Sequence, residues 1–171
     1  MNHIMTNDQP EKVADDFKLA MRRLTATVSI ITTSHEQMPF GMAVTAVCSL
    51  GVNPPSILIS VAHTASMHDP LMASRKFGVN LLSHEHAELV APFSGKLKGL
   101  ARFELGNWIE GPGRVPVLAD AQASLVCDVA STYEYSGHTV VIGTVIESKI
   151  KEKVLPLLYE NGGLVRSAAI T

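Results

Sequence analysis

Three runs of β-branched and small residues follow one another so closely that they leave little choice of sheet. Thr25–Thr33 (TATVSIITT), Gly41–Ser49 (GMAVTAVCS) and Ser56–Ala62 (SILISVA) are joined by links of seven and six residues, and such composition marks strands. A parallel pair needs a crossover of about a dozen residues or more, so these neighbours must pair antiparallel. Further strands are expected at Phe77–Leu82, at Ala121–Val129 and His138–Ile146 around a Tyr133–Gly137 connection, and at Val154–Tyr159 and Leu164–Arg166 around Gly162-Gly163. Six or seven strands paired mostly by short turns fit a mainly β fold, a Greek-key, mostly antiparallel barrel, because closure removes exposed edges. Two or three helices are inserted, at Asp15–Leu24, within Thr64–Ser74 with Thr64 and Ser66 as caps, and from a Ser83 cap through Ala91. Pro92–Pro116 is the least regular stretch, broken by glycines and prolines with Phe93, Phe103 and Trp108 among them. Irregular segments of that length are more often functional than plain connectors.

A chain of 171 residues makes one domain with a substantial core. Residues 1–14 read as an N-terminal arm, loosest over the polar Met1–Pro10, and 15–171 as the domain. A formal charge of −2 with no run of Lys or Arg argues against nucleic acid or an anionic membrane as partner, since both require a basic footprint. Met1–Gln9 is no signal peptide, and no apolar run reaches the ~20 residues of a spanning helix, so a cytoplasmic location is expected. Cys48 and Cys127 lie in apolar, strand-like surroundings and are read as small buried hydrophobes rather than a disulfide.

Gly41–Ser49 draws attention for chemistry as well. Small side chains leave a strand's backbone open to a flat guest, whose polar edge free amide and carbonyl groups can read; the plainer reading is a buried strand stopped by Asn53-Pro54-Pro55. Ala62–Asp69 (AHTASMHD) follows a strand and offers hydroxyls and helix-start amides to a phosphate, or is an ordinary capped helix start. His138, after Ser136-Gly137, is either a solvated turn residue or a group placed over a pocket. His63 and His68, and His84 with His86, lack the spacing of a zinc helix. Cys48 has no flanking base and no G-x-S-x-G elbow exists, which leaves a hydrolase unsupported; G-x-G-x-x-G and P-loop motifs are likewise absent.

The order GMAVTAVCS, NPPSILISV, a Ser/Thr loop, FGVNLL, ARF, GPGRVPVL and GHTVVIGTV resembles the short-chain flavin reductases, the reductase components of two-component flavin-dependent aromatic monooxygenases. The likeness runs from about Phe17 to Arg166 and implies a split β-barrel, a homodimer, and flavin (FMN or FAD) bound near the subunit interface. It implies that Gly41, Met42, Ala43, Val44, Thr45 and Ala46, followed by Cys48 and Ser49, line the flavin ring. It assigns the flavin phosphate to Ala62, His63, Thr64, Ala65 and Ser66, and places Arg102 and Phe103 near the ring's rim. His138 stands where the family's Gly-Asp-His has its histidine and is the side chain nearest the reaction; with Tyr159 and Arg166 it would hold the nicotinamide. Ser136-Gly137 replaces the rest of that triplet, which leaves NADH against NADPH open. The activity implied is hydride transfer from NAD(P)H to flavin, with reduced flavin diffusing to an oxygenase that hydroxylates a phenolic or other aromatic compound. A flavin-storing barrel with no NAD(P)H oxidation of its own, or a purely structural barrel subunit, is the alternative.

Overall fold

The computed structural model describes residues 9–170. After helix α1 (Gln9–Met21) come β1 (Ala26–Thr27), β2 (Ser29–His35), β3 (Met38–Val44), β4 (Val47–Val52) and β5 (Pro55–Ala62). Helix α2 (His68–Ser74), β6 (Lys76–Leu81) and α3 (Ala87–Ala91) follow, and then the irregular segment with β7 (Trp108–Glu110). The chain finishes with β8 (Pro116–Leu118), β9 (Ala123–Tyr135), β10 (His138–Ile150), β11 (Leu157–Glu160) and β12 (Gly163–Arg166). Every pairing is antiparallel, which the short links require of the neighbours β2–β3, β4–β5, β7–β8, β9–β10 and β11–β12. Residues 1–8 of the expected arm lie outside the described residues, and Pro10–Ala14 are helical, so regular structure begins before Asp15.

The principal sheet has the order β3-β2-β6-β9-β10-β5-β4. Its two edge strands, β3 and β4, are consecutive in the chain with only Thr45 and Ala46 between them. So short a link reaches about 10 Å at most, so the two edges must meet at that corner. The sheet therefore curls into a barrel that is pinched shut at Thr45–Ala46 and split beyond it. Gly41–Ser49, expected as one strand, is two strands on opposite edges, with the Val47 N–H closing the turn on the Thr45 carbonyl at 2.9 Å. Small residues make that sharp corner possible without a glycine or proline to announce it.

Inside the barrel, alternate residues of β5, β6 and β10 bury Ile57, Ile59, Val61, Phe77, Val79 and Val141, with Met67 and Leu71 of the α2 region. A second cluster of Val28, Ile30, Leu82, Leu89, Phe93 and Leu118 seats α3 and the irregular segment on the other side of β2. Ser83 caps its turn as expected, but with a histidine partner: its N–H donates to His86 Nδ1 at 3.2 Å. His86 also lies 3.4 Å from Asp120, which gives that histidine a structural place.

The cysteines part company. Cys127 is buried as expected, whereas Cys48 on edge strand β4 is exposed. Burial, and secondarily the Asp128 carboxylate, push the Cys127 thiol up to about 12. Because the unfolded thiol ionises at its ordinary value and the folded one resists, folding stability declines as pH rises from about 9 towards 12, by at most ~1.4 kcal/mol per pH unit. Native protein should accordingly yield one thiol equivalent to a thiol reagent at pH 8, and two only after unfolding. Rapid labelling of both in the native state would contradict this burial.

Candidate active site

As an edge strand, β3 has β2 on one side only, so one side of its backbone is left without a strand partner. The Gly41 carbonyl points to that side, where it accepts Arg102 Nη1–H at 2.6 Å. Alternate residues of an antiparallel strand turn their N–H and C=O the same way, which puts the backbone groups of Ala43 on the open edge too. Along this edge runs a cleft of about 580 Å³ lined by Met42 and Ala43, by Thr64, Ala65 and Ser66 of the β5–α2 loop, and by Phe93, Ser94, Gly95, Lys98, Gly99 and Arg102. A smaller lobe of about 280 Å³ continues it between Val28, Val44, Thr45, Val90 and Tyr159. Ala43 and Ser94 line both lobes, which therefore adjoin at these two residues and are treated as the two ends of one groove.

The groove has a polar end and an apolar end. Arg102 is pinned by Nε–H to the Leu97 carbonyl at 2.8 Å and by Nη1–H to Gly41, with Ser66 Oγ 3.5 Å away. Together with Lys98 it sets two cations beside the Thr64 and Ser66 hydroxyls, and no carboxylate lines this lobe. That donor set suits a phosphate or a similar anion. The opposite lobe offers valines, Thr45 and the Tyr159 ring. The wall between is a turn at Pro92–Lys96, whose reversal depends on Gly95 at φ 101°.

Of the expected residues, the structure gathers Met42, Ala43, Thr64, Ala65, Ser66 and Arg102 in one lobe and Val44, Thr45 and Tyr159 in the other. Several others stand elsewhere. Gly41 is buried beneath Phe93: a Cβ there would lie 2.7 Å from the ring's Cε1, so this glycine admits an aromatic side chain of the protein itself. Ala46, Cys48 and Ser49 are exposed at the corner and on β4 and line neither lobe. Phe103 is one ring behind the groove, edge-on to Phe93 with centroids 5.1 Å apart, and lines a separate cavity with Trp108. Ala62 pairs with His138 in the sheet, and the His63 ring turns to Thr139 at 3.1 Å. The caps expected of Thr64 and Ser66 are not formed, since Met67 occupies the N-cap of α2 and no side chain caps it.

His138 is exposed at the β9–β10 hairpin, opposite Tyr135 and Ala62, with Nδ1 3.3 Å from the Ser136 carbonyl. Like Arg166 on β12, it lines neither lobe. Phe93, Ser94, Gly95, Lys98 and Gly99 were not singled out as ligand-lining residues. Their one sequence signal was membership of the glycine-broken, aromatic-bearing stretch. Among the described residues no group of three His, Cys, Asp or Glu is placed to hold a metal ion, and no helix is long and apolar enough to cross a membrane.

Comparison with known proteins matches residues 21–168 to the flavin reductase like domain. The reductase component of the FADH(2)-dependent resorcinol hydroxylase of Rhizobium sp. strain MTP-10005 is 37% identical over 159 residues, covering 92% of this chain and 89% of that one. FMN reductase (NADH) RutF of Agrobacterium fabrum is 34% identical over 157 residues, covering 92% of this chain and 90% of the relative. Among solved structures, flavin reductase PheA2 in its native state superposes with a TM-score of 0.82 at 32% identity, covering 91% of this chain and 98% of that one.

Proposed function

We propose that this chain, which belongs to the flavin reductase-like family, is an NADH:flavin oxidoreductase that reduces FMN or FAD and supplies reduced flavin to a partner oxygenase acting on an aromatic compound. The observation that carries the reading is the groove on the open edge of β3, with small residues at Ala43, Ala65, Gly95 and Gly99 and two cations at one end. Its residues fit a flavin: those small residues leave room for a plate, and Lys98 and Arg102 suit its phosphate. When bound, the flavin supplies the two-electron acceptor for NADH hydride. The protein's part is to bind and orient. Arg102, Lys98, Thr64 and Ser66 anchor the phosphate, the free backbone groups of Ala43 meet a polar ring edge, and the Phe93 wall keeps water from one side. No residue pair is needed to move a proton. A storage barrel is not favoured, because the relatives are named as reductases.

His138 is given the nicotinamide side of the reaction, with Tyr159 and Arg166 as lesser contacts; this rests on the family motif and on its place beside Ala62. A His138→Ala variant should raise the KM for NADH about five- to tenfold, the worth of one hydrogen bond, and leave flavin affinity unchanged. Weakened flavin binding at an unaltered KM for NADH would put the histidine in the other site. The working form is a homodimer, supported by exposed Leu50 and Val52 on β4 and Ile146 and Ile150 on β10. Sedimentation at twice the 18.4 kDa chain mass tests it, and a monomer at micromolar concentration contradicts it. A cytoplasmic setting suits a soluble nicotinamide as reductant, and cell fractionation checks it. The function itself is tested by following absorbance at 340 nm with NADH or NADPH and each flavin in turn. NADH oxidation dependent on added flavin supports the reading, and flavin binding without turnover contradicts it.

A further inference from the structure

Thr139 carries a buried hydroxyl. It is 2% exposed, and in the sheet it lies opposite Val61 of β5. Its Oγ1 is 2.9 Å from His68 Nε2 and 3.1 Å from His63 Nε2, while His68 Nδ1 is 2.8 Å from Asp69 Oδ1. With both imidazoles neutral, counting protons gives the direction of this chain. The Asp69 carboxylate only accepts, so neutral His68 carries its proton on Nδ1 and presents a bare Nε2. That nitrogen accepts the Thr139 O–H, and the Thr139 oxygen in turn accepts the His63 Nε2–H. One buried hydroxyl thus holds a ring at each end of the β5–α2 loop, His63 at its start and His68 on the first turn of α2, and the start is also tied to the hairpin by His63 N–H donating to the Gly137 carbonyl at 2.9 Å.

The loop so fastened carries Thr64, Ala65 and Ser66, one wall of the groove's cationic end. The strand that fastens it carries His138 next door. Thr139 itself lines neither lobe. We propose that Thr139 is a positioning residue: its hydroxyl holds the loop that receives the flavin phosphate in fixed register with the strand that bears His138. The proposal rests on the flavin-reductase reading, and its mechanism is loss of loop entropy before the ligand arrives rather than on binding.

The test uses Thr139→Val, which keeps the shape and strands both ring nitrogens, beside Thr139→Ser, which keeps the hydroxyl. The valine variant should bind FMN about tenfold more weakly and raise the KM for flavin by the same factor, with kcat within about twofold; serine should restore both. Imidazole ¹⁵N spectra should show His68 protonated at Nδ1 and His63 at Nε2 in the parent and serine proteins, and mixed tautomers in the valine variant. If the valine variant does not fold, His63→Ala, on an exposed loop, breaks half the chain of bonds and should weaken FMN binding about threefold with the His68 tautomer unchanged. Parent-like FMN affinity in whichever variant folds, or failure of serine to rescue, overturns the proposal alone. Failure of the parent protein to bind flavin at all overturns the functional reading with it.

Discussion

Replacing Ala43 with phenylalanine is expected to weaken flavin binding by about a hundredfold or more while the barrel still unfolds cooperatively. Ala43 is shared by both lobes of the groove, so a ring at this position fills their junction. If the intruding side chain denies a ligand only about 110 Å² of apolar contact, at ~25 cal/mol per Å² the loss is about 2.8 kcal/mol, which is about a hundredfold in affinity. Quenching of flavin fluorescence measures the effect, and far-ultraviolet circular dichroism checks the fold. Retained titration in a folded Ala43→Phe protein would place the flavin away from β3.

Arg102→Met should cost about thirtyfold in FMN affinity and distinctly less in affinity for riboflavin, which lacks the phosphate. The guanidinium bridges the Gly41 and Leu97 carbonyls and faces Ser66, and hydrogen bonds to charged groups contribute about 1.5–3 kcal/mol each. The variant should also lose about 1–2 kcal/mol of stability, because those carbonyls forfeit a charged donor. The FMN-to-riboflavin ratio separates the two effects. A ratio that stays at the parent value would mean that Arg102 only braces the loop.

Much of this arrangement was legible in the chain, because it follows from periodicity and link length. The antiparallel strands, the β9–β10 and β11–β12 hairpins and the Ala65-Ser66 loop are local features, written in contiguous residues. The corner at Thr45–Ala46 was not legible, since valine, threonine and alanine serve equally in a straight strand; only the sheet order shows that the chain changes edges there. Gly41 looked like a bare bed for a guest, and it is bare because Phe93, 52 residues later in the sequence, occupies the space. Lys98 and Ser94 acquire meaning only once the turn around Gly95 folds them over β3. His63 and His68 lack metal-helix spacing in the sequence, and only the family likeness gives His63 a phosphate; both rings meet Thr139, more than 70 residues away in the chain. Side chains whose role depends on such distant neighbours leave no spacing to read. Cys48 was expected buried for a related reason: its apolar neighbours in sequence lie on an edge strand whose outer side is open.

A crystal structure with FMN shows directly where the flavin lies. The ring should lie along Met42–Val44 between Ala43 and Ser94, with its phosphate among Thr64, Ser66 and Arg102. FMN seated instead in the Trp108-lined cavity, with the β3 groove empty, would contradict this placement.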